Sequence, residues 1–235
     1  MSLINFRKPV NLSGFTLIIP AISVGNVPQL TVDLLITTLK LENVASLWHP
    51  GVQPSVGADP FYSNEKTFCT ACELYVNEAR KLAVLQFRST IEVKLALKFI
   101  EDLIDGITEL KFENIYVLAT GFDYELHNIN NKKVYYYAIN YEEKVEIEDA
   151  KPLEKTPQGK FKISGSGLAV KLYEAIEDRL KATLLVKYVS EGDNLYDAKC
   201  FFGKLLEFLN LKSEQLIFPT SWQYVYGTPP PTGLF

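Results

Sequence analysis

Histidine and cysteine are scarce in this chain: two of the first and three of the second among 235 residues. A small, odd number of cysteines gives no disulfide framework, so a reducing setting, cytoplasmic and nuclear, is expected. His49 and His127 stand far from any Gly-x-Ser-x-Gly elbow and from a partner in sequence, so no nucleophile–histidine–acid constellation assembles. No Lys/Arg run is present and the formal charge is −4, which argues against nucleic acid and anionic membrane as partners. No apolar run reaches the length of a membrane span. Arg7 and Lys8 near the start are not followed by an apolar segment, so no signal peptide is expected. No Gly-Lys-Ser/Thr phosphate loop and no repeat of 20 to 50 residues is found.

What is present suits a sizeable core. Apolar residues make up 47% and aromatic residues 12%, which excludes disorder and fits one domain, 1–235, with an elaborated insert. Phe15 to Pro20 reads as a buried strand, and a helix follows to about Lys40, with Asn26 as its cap and Gln29 bonding back. Val44 to Trp48 is a second strand, and Phe68–Val76 with Lys81–Phe87 a strand pair. Ile91, Leu95, Phe99 and Leu103 recur every fourth residue, the mark of an amphipathic helix. Ile115 to Ala119 is another buried strand, and Leu168, Leu172, Ile176 and Leu180 mark a further helix. A strand at Thr183–Val189 and a helix at Asn194–Leu209, capped by Asp193, complete the pattern. Short apolar strands alternating with helices predict an α/β fold, its central sheet largely parallel or mixed and covered on both faces. Residues 121–162, rich in tyrosine and then acidic, break the rhythm and read as a variable insert with one strand near Val134–Ile139 and a mobile acidic loop.

Three motifs invite chemistry. Cys69 and Cys72 form a CxxC, but its segment alternates like a strand, where no helix N-terminus lowers a thiol pKa, and two further zinc ligands are lacking nearby; structural cysteines are the better reading. Ser164-Gly165-Ser166-Gly167 opens a helix and offers N–H groups to an anion, yet Val170 stands where a dinucleotide fingerprint needs its third glycine, so a flexible strand-to-helix junction is preferred. Ser190 to Asn194 gathers polar groups at the carboxyl end of a strand, where open α/β sheets bind ligands; helix capping explains them equally well.

The ending is apolar and stiff. Trp222, Tyr224 and Tyr226 precede Pro229-Pro230-Pro231, and Leu234-Phe235 close the sequence. Such a tail either inserts into a pocket on another protein or folds back onto its own domain.

Three segments taken together, Gly14–Leu30, Lys187–Asn194 and Pro219–Trp222 with the Pro-rich Leu-Phe ending, resemble the proteasome assembly chaperone 2 family. The resemblance spans the chain apart from the insert. It implies a fold like that of nucleoside phosphorylases without their catalysis, no enzyme activity and no cofactor. It also implies a heterodimer with proteasome assembly chaperone 1 that docks on 20S proteasome α-ring subunits, promotes ring formation and prevents off-pathway α-ring dimers. Family tails enter pockets between α subunits and usually end hydrophobic–Tyr–any; Gly233, Leu234 and Phe235 stand at those positions here. On this reading Trp222, Tyr224, Tyr226, Leu234 and Phe235 are partner-binding, and 219–235 is a docking tail. The rival readings are a small-molecule, nucleoside-like binding or processing protein of the same fold, and an interaction scaffold unrelated to proteasomes.

Overall fold

A computed structural model describes residues 3–61, 67–126, 133–142, 146–212 and 215–224. Four strands run parallel at its centre: β2 (Thr16–Pro20), β7 (Leu82–Phe87), β8 (Asn114–Phe122) and β11 (Ala182–Val189), in the order β7-β2-β8-β11. Antiparallel strands extend the β7 side through β6 (Cys72–Asn77), β3 (Glu42–Leu47) and β1 (Ile4–Phe6). On the other side β9 (Tyr135–Ile139) pairs antiparallel with β11, and β10 (Ala150–Pro152) pairs parallel with β9. The sheet is therefore mixed, with nine strands. The insert read from the sequence supplies its last two, so it is part of the sheet rather than an appendage.

The strand pair expected at 68–87 is three strands. The chain bends at Ala71: β5 (Phe68–Thr70) leaves to pair with β4 (Val56–Ala58) in a separate small sheet, and β6 goes on to pair with β7. The bend separates Cys69 from Cys72. Burial pushes both thiols up, Cys72 well above its ordinary value with Glu73 adding to the effect, and both are free.

Strand side chains alternate between the faces, and both faces are buried. Leu17, Ile19, Val117, Leu184 and Val186 meet α2 (Ala96–Glu109) and α3 (Ala169–Glu177). Ile18, Val84, Leu118 and Leu185 meet α1 (Val27–Thr38) and α4 (Leu195–Phe208). Of the four-residue repeat seen in the sequence, Phe99 and Leu103 form the inward stripe of α2, whereas Ile91 and Leu95 precede the helix, in a bridge to Val52 and a short 3-10 turn.

The cap expected at Asn26 is absent. Asn26 takes a left-handed conformation, φ 51°, and its side chain makes no capping bond. Gln29 turns away from the helix start and donates to the Phe87 carbonyl at 3.2 Å. Pro28 in the first turn supplies the start instead, its missing N–H costing nothing there. The cap position of α4 is held by Asn194 rather than Asp193, and its side chain makes no capping bond; Asp193, one residue earlier, accepts from Leu195 N at 3.1 Å.

α1 is buried on nearly all sides: the sheet and α4 cover most of it, and the segment 215–224 reaches its carboxyl end. Ile217 bonds through its carbonyl to the Thr37 hydroxyl at 2.6 Å and through its N–H to Thr38 Oγ1 at 3.0 Å. Ser221 N and the Thr220 hydroxyl then reach the Pro60 and Phe61 carbonyls, each at 3.0 Å.

Candidate functional site

Three of the sequence segments singled out above meet at the carboxyl edge of the parallel strands. The loop after β2, the Ser164–Gly167 turn and the 190–194 loop are adjacent there. At their centre Thr120 and Ser23 form a closed relay. Thr120 N–H donates to Ser23 Oγ at 3.1 Å, the Ser23 and Thr120 hydroxyls lie 2.8 Å apart, and Thr120 Oγ1 donates to the Val24 carbonyl at 2.6 Å. All these groups are buried or nearly so, and each finds a partner, as burial demands. Replacing Thr120 by valine removes two of those bonds at constant shape. The unfolding free energy should fall by about 2 kcal/mol, read from urea midpoints, whereas Thr120→Ser keeps the relay.

The glycines of this edge serve close approach. Gly25, at φ 71°, lies against the Asn194 side chain, and a Cβ there would stand 2.9 Å from Asn194 Cγ. Asn194 is fixed in turn by its own bond to the Gly192 carbonyl at 3.0 Å. Gly167, at φ 59°, packs on the Ile22 carbonyl so tightly that any Cβ would collide with the backbone. The Gly165 carbonyl accepts from Val24 N at 2.9 Å, and Ser164 N donates to Glu125 Oε2 at 3.1 Å. The Ser164–Gly167 turn, expected as a flexible junction, is therefore a rigid brace against the β2–α1 loop. The Ser164 and Ser166 N–H groups both donate to protein acceptors.

The chemistry open to this edge is limited. The Ser190 hydroxyl donates to the Asp123 carboxylate, and the Ser166 hydroxyl donates to the Ile163 carbonyl at 2.8 Å. Among the described residues no hydroxyl of the edge is bonded to a histidine. His49 sits elsewhere, under Phe99, with Nδ1 accepting from Gly51 N at 2.9 Å and Nε2 3.2 Å from Asp102 Oδ2. A hydrogen bond from Lys98 is the first cause holding the Asp102 carboxyl below its usual value. His127 lies outside the described residues. Among the described residues no group of three or more metal-ligating side chains occurs.

Beside the loop cluster an apolar trough of about 480 Å³ opens between β2, β7, α2 and α3. Sequence reasoning missed it, because its walls come from three distant stretches near residues 20, 90 and 170.

Of the tail residues, Trp222 is half-buried against the α1–α4 core, with its ring 5.9 Å from Phe218. The backbone of Tyr224 ends a short 3-10 turn that begins at Thr220. Tyr226, Leu234 and Phe235 lie outside the described residues.

The PAC2 family model matches residues 17–211. The chain is 31% identical to proteasome assembly chaperone 2 of Xenopus tropicalis across 95% of both chains. It is 28% identical to proteasome assembly chaperone 2 of Homo sapiens across 96% of both. Among solved structures it resembles Pyrococcus furiosus PbaB, an archaeal proteasome activator, with a TM-score of 0.67 over 91% of each chain at 16% identity. That last likeness bears on the fold alone.

Proposed function

The chain belongs to the PAC2 family, and on that premise we propose that it is a non-enzymatic chaperone of 20S proteasome assembly. It pairs with proteasome assembly chaperone 1 in the cytoplasm and nucleus. The heterodimer binds α-ring subunits, adds binding free energy to the correct ring and covers a surface through which α rings would otherwise pair. The observation that carries this reading is the match along 95% of both chains to a protein named for proteasome assembly. The hydroxyls of Thr120, Ser166 and Ser190 at the carboxyl edge are committed to protein acceptors, which supports it over small-molecule processing.

The chain acts as one unit, with 121–162 as its variable region and 219–235 as a docking tail. Trp222 is the anchor by which the tail leaves its own domain. Tyr224, Tyr226, Leu234 and Phe235 reach the α ring. Deleting Leu234 and Phe235 should lower the affinity for α subunits by about tenfold or more, given what burying two such side chains contributes. The partner chaperone should be retained in full. The measurement is recovery of both from a pull-down on the tagged chain. Undiminished α-subunit recovery would sink the tail's role, and loss of the partner chaperone would assign these residues to the heterodimer interface instead.

A further inference from the structure

Two adjacent threonines, Thr37 and Thr38, close α1, and both are buried. A buried hydroxyl needs a partner, and both find one in a single residue far along the chain. The Thr37 hydroxyl donates to the Ile217 carbonyl at 2.6 Å, a shorter contact than the 3.0 Å to the Asp33 carbonyl of its own helix. Thr38 Oγ1 accepts from Ile217 N at 3.0 Å. The pair grips both backbone groups of one residue, as a neighbouring strand would. The segment is then gripped a second time, by the Phe61 and Pro60 carbonyls, which accept from the Thr220 hydroxyl and from Ser221 N at 3.0 Å each. This second grip is itself fixed: Phe61 N donates to Asp59 Oδ1 at 2.8 Å, and the Phe61 ring meets Tyr75 edge-on at 5.4 Å. The segment is not simply a cover for the core, since Ile217 and Phe218 stay 45% and 46% exposed. Pro219 is buried and Trp222 half-buried, and much of the remaining hold is through backbone hydrogen bonds. Such bonds fix where the chain runs and where it leaves the domain.

We infer that Thr37, Thr38 and the Pro60 and Phe61 carbonyls are the mount of the docking tail: they fix the point at which it leaves the domain and so shorten the tether on which Leu234 and Phe235 reach the α ring. The inference rests on the tail's role proposed above. Its size follows from chain statistics. Leu211 N still donates to the Leu206 carbonyl at the end of α4, so a chain released from the mount is tethered there. Leu234 is about twenty-three residues from Leu211 in the sequence but only about ten from Tyr224, where the mounted segment ends, and the local concentration of a tethered group falls roughly as the −3/2 power of tether length. Release should therefore dilute the tail at its pocket about threefold. Thr37 and Thr38 are positioning residues on this account, acting on the α ring only through the tail they hold.

The test is the triple substitution Thr37→Val, Thr38→Val and Thr220→Val in the full chain, purified with proteasome assembly chaperone 1. It removes every threonine hydroxyl of the two grips. Amide exchange at Ile217 should quicken by about tenfold or more, and affinity for α subunits, titrated against the complex, should fall about threefold. Serine at the same three positions keeps the hydroxyls and should restore both. Tether length gives a readout that a merely structural role would not move, and it leaves the threonines untouched. An insert of about ten Gly/Ser residues after Gly227, beyond the mount, should cost about threefold in affinity. The same insert after Lys212, ahead of the mount, should cost nothing. Equal losses from the two inserts overturn the inference. So does unchanged exchange at Ile217 in the triple variant, or fast exchange with wild-type affinity. Deleting Leu234 and Phe235 separates this inference from the reading beneath it: wild-type affinity after that deletion sinks the tail and the mount together, whereas a loss on deletion with none on release sinks the mount alone.

Discussion

Replacing Gly167 by valine should remove a large part of the domain's stability. The residue holds φ 59°, and a Cβ on it would collide with the Ile22 carbonyl oxygen, which is backbone and has no rotamer to change. Neither side of the contact is free to retreat. Ala21 N is bonded to the Leu118 carbonyl at 2.8 Å, and Val24 N to the Gly165 carbonyl at 2.9 Å, so both loops are pinned to the sheet edge or to one another. A left-handed β-branched residue and a forced displacement of packed backbone together cost roughly 4 kcal/mol. A domain with a total stability of about 5–15 kcal/mol loses much of it by that change. Gly159 provides the control. It has a similar φ of 76° but nothing within 4 Å of its Cβ position. Gly159→Val bears the conformational strain without the collision and should cost only about 1 kcal/mol. Soluble yield and urea midpoints compare the two, and equal midpoints would refute the account.

Asp33→Ala should be nearly as damaging. Asp33 lies on α1 at 4% exposure and receives both Arg88 Nη atoms, at 3.0 and 2.6 Å, and the Gln86 amide at 2.6 Å. The Arg88 guanidinium also lies 5.2 Å from the centre of the Phe61 ring and its side chain is 22% exposed, so water can replace only part of what Asp33 supplies. Removing one member of a buried ion pair leaves the other uncompensated, at a cost of about 3–5 kcal/mol. Replacing both, as Asp33→Leu with Arg88→Met, should recover most of the loss, because the pair itself contributes little beyond its packing. A double-mutant cycle on unfolding free energies measures this. An Asp33→Ala loss under about 1 kcal/mol would show that the pair is not shielded from solvent in the way its geometry indicates.

The parts of this fold legible in the sequence are those written locally. β2 and β11 are short apolar runs and α4 repeats its apolar residues at helical spacing, so each could be placed within a residue or two, whereas the stripe that marks α2 begins five residues before the helix does. Three-residue strands such as β1, β4 and β10 carry too few side chains to show a period. Pairing is non-local as well: nothing in Phe68–Asn77 announces that its first part joins a different sheet from its second. Asn26 looks like a helix cap by residue type, and is overridden because the turn through Gly25 needs a left-handed residue beside Asn194. At the carboxyl edge, the 190–194 loop and the Gly-rich turn were recognised as separate motifs. Their mutual packing was hidden because it depends on strands 70 to 170 residues apart coming side by side. The trough was invisible for the same reason. Trp222, a partner-binding residue by the sequence reading, is half-buried against its own core, a placement that depends on contacts no local pattern records.

The placement of β2 also sets a timetable. Thr16 pairs with Leu82 on one side and with Asn114 on the other, and Ile115 in turn pairs with Ala182. The innermost strand is among the first made, yet its second neighbour leaves the ribosome nearly one hundred residues later, roughly 5–20 s at ordinary synthesis rates. Through that interval Leu17, Ile18 and Ile19 have no complete sheet to join. Closing loops of that length is slow even after release, because chain entropy is lost before the pairing returns it. The nascent chain therefore passes through a long stage with this apolar central strand uncovered, a delay built into the strand order itself.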